Sequence, residues 1–217
     1  DPIPVDSLNR MSLMKKSEAI YQIHFPSSTE LLKEAKRRLV FDEFFYLQLG
    51  LLRRRIELKE SKAPELFINK SRKGLVEKFL SLLPFALTES QKEVLYQIEL
   101  DLSLSKPMSR LVQGDVGSGK TVVAIATLLI VVESGWQGAL MAPTEVLAHQ
   151  HYITLCKWLP QLHVTVELLT GSTSSKERKR ILTDLANGNL KILVGTHALI
   201  EDSVSFCRLG LVVVDEQ

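Results

Sequence analysis

Cysteine is scarce. The chain holds two, Cys156 and Cys207, far apart and without metal-like spacing, which fits reduced, structural thiols in a cytoplasmic protein. Long hydrophobic runs are missing too. The longest largely apolar stretch, residues 122–132, is too short to span a bilayer, so no membrane partner is expected. The start is acidic and proline-bearing, without the basic-then-apolar pattern of a secretory leader. There is no internal repeat, no low-complexity tract and no strong excess of one charge: 27 Lys/Arg stand against 25 Asp/Glu, a net +2. That balance is uneven along the chain. Residues 1–83 hold 16 basic and 11 acidic side chains, residues 84–217 hold 11 and 14. A mildly basic arm on a mildly acidic body permits nucleic-acid contact without requiring it.

What the chain does have is Gly114-Asp115-Val116-Gly117-Ser118-Gly119-Lys120-Thr121. This fits G-x-x-x-x-G-K-[ST], the phosphate-binding P-loop. Glycines let the backbone curl so that N–H groups converge on phosphate oxygens. Lys120 reaches the β- and γ-phosphates, and the Thr121 hydroxyl can ligate Mg²⁺, a cation that prefers hard oxygens. The context suits the motif: residues 110–113 read as a short strand, and the apolar run after Thr121 reads as a buried helix whose positive end faces the anion.

The rest of the second half alternates. Strands are expected at 110–113, 137–142, 163–169, 191–195 and 210–214, with helices at 89–103, 120–133, 145–158 and 174–187. This predicts an α/β fold with a mostly parallel sheet, and ligands at the carboxyl ends of its strands. The first half reads as helical. A short pattern runs around residues 13–20, and Ser28 or Thr29 can cap a long helix over 30–58. From Phe41 that helix is apolar nearly all round, so it calls for cover on several sides. Arg53-Arg54-Arg55 is either a solvated helix end or a phosphate contact. An amphipathic stretch from Leu75 to Leu83 leads to a domain boundary near Pro84, giving a helical linker at 1–83 and a nucleotide-binding domain at 84–217.

Other motifs fall at the expected strand ends. Leu211-Val212-Val213-Val214-Asp215-Glu216 delivers two carboxylates. In a P-loop protein such an Asp holds Mg²⁺, and the Glu orients or deprotonates the attacking water. Thr88 is a helix cap, and Gln91 offers an amide that can read adenine. Pro143-Thr144, Thr170-Gly171 and Thr196-His197 each place small or hydroxyl residues at a strand exit, where a nucleic-acid phosphate can approach. His149 and His151 lack an acidic or Cys partner at metal-like spacing and read as surface or packing histidines. The basic run from Lys176 to Arg180 reads as a solvated helix face.

Taken in order, these motifs resemble the first motor domain of superfamily-two helicases. Gly-Asp-Val-Gly-Ser-Gly-Lys-Thr, Ala142-Pro143-Thr144-Glu145-Val146-Leu147-Ala148-His149-Gln150-His151, Gly195-Thr196-His197-Ala198-Leu199-Ile200 and Asp215-Glu216-Gln217 are most similar to the RecG family of bacterial branched-DNA helicases. His24-Phe25-Pro26 and the stretch from Arg37 to Glu43 resemble that family's segment between wedge and motor domains. The resemblance implies a RecA-like domain using ATP and Mg²⁺, with Lys120 and Glu216 catalytic. Gln91 and residues 114–121 would bind nucleotide, and Thr121 and Asp215 the metal. Pro143, Thr144, Thr170, Gly171, Thr196 and His197 would bind branched or duplex DNA. It further implies fork regression and junction migration. Transcription-repair coupling translocases are similar, but their motifs carry Thr-Leu-Leu after Pro-Thr and end in Glu-His.

Because the sequence stops inside the acidic motif, an internal fragment is expected, lacking a wedge domain, a second motor domain and that domain's arginine. Transition-state charge in such motors needs the second domain's arginine. The purified 217-residue chain is therefore expected to bind nucleotide weakly and hydrolyse ATP poorly. Robust DNA-stimulated turnover in a phosphate-release assay would defeat that expectation.

Overall fold

The computed structural model describes residues 1, 3–60, 63 and 74–216, which form two compact units, residues 1–61 and 62–217. Gln217, part of the acidic motif, lies outside the described residues.

The first unit is helical: α1 (Val5–Arg10), α2 (Lys16–His24) and the long α3 (Thr29–Glu60). Ser28 caps α3, its hydroxyl accepting from the Leu31 amide at 3.1 Å. Helices α2 and α3 meet through small residues, with Ala19 and Ala35 fully buried. The polar centre of this contact is Arg38, also fully buried. Its guanidinium donates to Met14 O at 2.8 Å, to both Asp1 carboxylate oxygens at 2.7 and 2.8 Å, and to Asp42 Oδ1 one turn along α3. Asp42 Oδ2 makes no hydrogen bond and faces Lys16 Nζ at 3.5 Å. A planar guanidinium with several fixed donors can satisfy this many acceptors at once, which a lysine cannot. Beyond this contact the apolar residues of α3 are not covered by other described residues: Phe44, Leu47, Leu49, Leu51, Leu52 and Ile56 are all more than half exposed.

The second unit continues with α4 (Leu75–Leu82), α5 (Glu89–Leu102), α6 (Lys120–Glu133), β1 (Gln137–Met141), α7 (Glu145–Trp158), a 3-10 turn (Leu159–Leu162), β2 (Val166–Leu169), α8 (Ser175–Ala186), β3 (Ile192–Gly195), a second 3-10 turn (His197–Ile200) and β4 (Leu209–Val214). The four strands form an all-parallel sheet in the order β2-β3-β1-β4. Helix α4, which precedes Pro84, packs on α6 within this second unit.

Both faces of β3 are covered, as its uninterrupted apolar sequence requires. Ile192 and Val194 point into the larger core with α5, α6 and α7, while Leu193 points into a smaller one with Ile181 and Leu185 of α8. Helix α6 is buried along most of its length, with Ile125, Leu128, Leu129 and Val131 at 1% exposure or less. Full burial of each such side chain stabilises by roughly 1.5–3 kcal/mol. Gln137 is a fully engaged polar side chain at the start of the sheet. It donates to Leu185 O and Leu190 O at 2.9 and 2.7 Å and accepts from Arg208 N at 2.8 Å.

Two expectations need correction. Residues 110–113 carry no regular secondary structure and belong to no strand of the described sheet; Leu111 is 78% exposed, and among the described residues β4 is paired only with β1. Four residues cannot hold a ladder without a partner edge. The second concerns β2, which starts at Val166, not at 163, because His163 adopts a left-handed conformation (φ 56°) that ends the 3-10 turn.

Replacing Arg38 with Ala strands Asp42 and Asp1 beside each other and is expected to destabilise the first unit by about 3–5 kcal/mol. Hydrogen-exchange protection of α2 and α3 reads this out. Arg53→Ala on the exposed end of α3 is expected to leave that protection unchanged.

Candidate nucleotide site and nucleic-acid rim

The loop before α6 curls through two left-handed glycines, Gly117 (φ 80°) and Gly119 (φ 83°). Lys120, the first residue of α6, turns its side chain back over the loop. Its ammonium donates to Gly114 O at 2.6 Å and Asp115 O at 2.8 Å. The lysine is thus held at the centre of the curl by two carbonyls that an anion can replace. Val116 stands fully exposed at the tip, and Ser118 N closes the turn onto Asp115 O at 3.1 Å.

Gln91 reaches this loop from α5. Thr88 and Gln91 form a reciprocal capping box: the Gln91 amide N–H donates to Thr88 Oγ1 at 3.2 Å, and Gln91 Oε1 accepts from Thr88 N at 2.9 Å. The remaining group, Gln91 Nε2, donates to Ser118 O at 2.8 Å. The side chain expected to read adenine therefore also sets the P-loop's position against α5. The left-handed φ at Gly119 favours glycine, and a Cβ added there would push Gln91 Nε2 away from Ser118 O.

The other motifs converge through strand register. Met141 pairs with Gly195 and with Val214, and Leu169 pairs with Gly195. All four strands therefore end level, and the segments leaving them share one rim. Across the sheet the order is Thr170-Gly171, Thr196-His197, Pro143-Thr144, then Asp215-Glu216. A Cβ at Gly195 would collide with Leu169 O, so the close approach at the middle of the rim depends on its absence.

Along the rim, Thr144 caps α7 by accepting from Leu147 N at 3.3 Å, and it is exposed together with Pro143. Gly171 and His197 are exposed, Thr196 half-buried. Thr170 is 4% exposed, and its hydroxyl bonds Ser172 Oγ at 2.9 Å. Its side chain therefore shapes the turn from within, while the neighbouring residues form the surface. Glu145 joins two of the loops: its carboxylate accepts from Ser172 N at 3.2 Å and Ser172 Oγ at 2.8 Å. Next to it a polar cavity of about 260 Å³ is lined by Glu145, His149, Tyr152, Glu167 and Ser172. Burial, then a hydrogen bond with Cys156, push Tyr152 up to about 12, so its hydroxyl stays neutral at physiological pH. Arg178 and Arg180 of the basic run are engaged with Glu201 and Glu167, as a solvated helix face allows.

The histidines separate. His149 is exposed, as expected. His151 is not a bystander: its Nε2 lies 2.6 Å from Asp215 Oδ2. It shares the buried stripe of α7 with Ala148 and Leu155, and an imidazole on such a stripe, under the carboxyl ends of parallel strands, is the signal that linear spacing missed. Asp215 is anchored by its own N–H on Met141 O at 2.9 Å. Glu216 is exposed with a left-handed backbone (φ 51°). Among the described residues no hydrogen bond joins the P-loop to Asp215 or Glu216, and no cluster of three or more His, Cys, Asp or Glu can hold a metal by itself. Both cysteines are free.

Comparison with known proteins agrees with this arrangement. The family model for the DEAD/DEAH box helicase matches residues 88–217. The chain belongs to the DEAD/DEAH box helicase family. The match takes in the capping box, the P-loop, the rim and both acidic residues. Over its whole length the chain is 54% identical to the ATP-dependent DNA helicase RecG of Synechocystis sp. and 43% identical to that of Bacillus subtilis, covering 26% and 32% of those proteins. A solved structure of RecG bound to a three-way DNA junction superposes with a TM-score of 0.83 at 40% identity, covering 100% of this chain and 29% of that one. The chain thus spans about a quarter to a third of the relatives it matches.

Gly119→Ala is expected to break the Gln91–Ser118 bond and to strain the loop by roughly 1–2 kcal/mol. Nucleotide titration followed by fluorescence should show weakened binding, while Gly50→Ala, in open space on α3, leaves it intact.

Proposed function

We propose that this chain is the linker (residues 1–83) and first motor domain (residues 84–217) of an ATP-driven, bacterial cytoplasmic helicase acting on branched DNA, by regressing forks and migrating junctions. One observation carries the reading: four level strand ends place three hydroxyl- or glycine-bearing turns and the acidic pair on a single rim, in a family-matched domain whose P-loop is already curled. Among the described residues no helix is long and apolar enough to cross a membrane.

The roles follow from the groups present. Lys120 exchanges the carbonyls of Gly114 and Asp115 for phosphate oxygens, and the loop amides and the N-terminus of α6 add further positive potential. Thr121 and Asp215 contribute one hydroxyl and one carboxylate. This sparse, all-oxygen set suits Mg²⁺, which keeps its waters and completes its shell on substrate phosphate, and does not suit a metal that needs a protein cage. When bound, Mg²⁺ neutralises charge developing on the phosphates. Glu216 accepts a proton from the attacking water or holds it in line. Thr144, at the positive end of α7, together with Gly171, Thr196 and His197, meets the sugar-phosphate backbone without reading sequence. The adjoining wedge and second motor domain, and the latter's arginine, belong to the rest of the intact protein.

In the intact protein, Lys120→Ala is expected to abolish DNA-stimulated ATP hydrolysis with the fold retained. Thr144→Ala and Thr196→Ala are each expected to weaken binding to a forked duplex about 2–10-fold, as loss of one phosphate hydrogen bond predicts. Full ATPase in Lys120→Ala, or unchanged fork affinity in the double Thr variant, overturns the reading.

A further inference from the structure

Helix α7 carries three polar engagements along its length, and only the first belongs to the expected rim. Thr144 caps its start. Glu145 holds the Ser172 turn by two hydrogen bonds. Two turns on, His151 meets the Asp215 carboxylate at 2.6 Å, with its side chain only 14% exposed. The helix cannot roll between these points, because Ala148 and Leu155 on the same stripe are fully buried in the main core. The other partner is equally fixed, since Asp215 hangs from the end of β4 with its amide on Met141 O.

An aspartate at a strand end still has two side-chain torsions. Unheld, its carboxylate samples several orientations, and ordering it costs free energy each time a cation is bound. A hydrogen bond from His151 Nε2–H to Oδ2 removes that freedom and leaves the second oxygen for the cation's water shell. Losing an outer partner of this kind typically costs about 10–100-fold in metal affinity.

Resting on the function proposed above, we propose that His151 is a positioning residue: it presets Asp215 for Mg²⁺ and, through the rigid α7, ties that setting to the rim formed by Thr144, Glu145 and Ser172. His151 touches neither nucleotide nor DNA in this role.

The test uses the intact protein, a fluorescent ATP analogue and titrated MgCl₂, so that binding is read without turnover. His151→Ala is expected to raise the half-saturating Mg²⁺ concentration about 10–100-fold and to leave analogue affinity in EDTA unchanged. His151→Gln, whose amide can still donate, is expected to recover most of the shift. An unmoved Mg²⁺ midpoint in a His151→Ala protein of wild-type thermal stability overturns the proposal. So does an equal loss of affinity in EDTA, which marks a structural role alone. Asp215→Asn separates this failure from that of the underlying reading: if Asp215→Asn shifts the midpoint and His151→Ala does not, only the His151 role falls. If neither shifts it, the Mg²⁺ assignment falls as well.

Discussion

Parallel pairing with level ends is the constraint on which the second unit depends. Once Leu169, Gly195, Met141 and Val214 lie in one row, every segment leaving the sheet begins at the same height, and chemistry scattered over a long stretch of chain becomes one edge. Two devices hold the row. At the far end Gln137, fully buried, ties the starts of β3 and β4 and the end of α8 with three hydrogen bonds. At the near end Gly195 lets the Leu169 carbonyl pass within a distance that no side chain tolerates. A slip of one residue would also reverse which face each side chain points to, exchanging the two cores.

The first unit solves a different problem with different means. Its helices are short or only partly covered, and its centre is a buried cation with three carboxylate contacts in place of an apolar plug. Such a centre contributes little net free energy and specifies geometry: Arg38 ties α3 to Asp1 and to Met14, just ahead of α2, with Asp42 of the same helix completing its partners. The apolar residues of α3 beyond it mark surface of a kind that proteins cover when assembled.

What could be read from the sequence was what local chemistry dictates. Glycine spacing announces the P-loop, a hydroxyl at the head of a helical run announces the Thr88 cap, and apolar runs ending in Pro-Thr, Gly-Thr or Asp-Glu announce strand exits. Four of five strands, the helices between them and the parallel sheet are legible on those grounds. Residues 110–113 failed because a strand is defined by its neighbour as much as by its own residues. The late start of β2 failed because one left-handed residue, His163, outweighs an apolar pattern. His151 failed for a third reason: its partner is sixty-four residues away, and only the packing of α7 on the sheet brings them together. The hydrogen bonds of Gln91 to Thr88 and Ser118 lie outside what was legible, the last because Ser118 is twenty-seven residues away and only folding brings it near.

The strand order also bears on how this protein is made. Among the described residues β1 is the first strand translated but pairs only with β3 and β4, the last two of the four to leave the ribosome. At roughly 5–20 residues per second, the apolar α6 and β1 wait for several seconds before any strand can cover them. During that interval α6 can pack on α4 and α5, already made, while β1 has no strand beside it. The same topology that gathers the rim therefore leaves the edges of β1 open longer than those of β2 while the chain is being made.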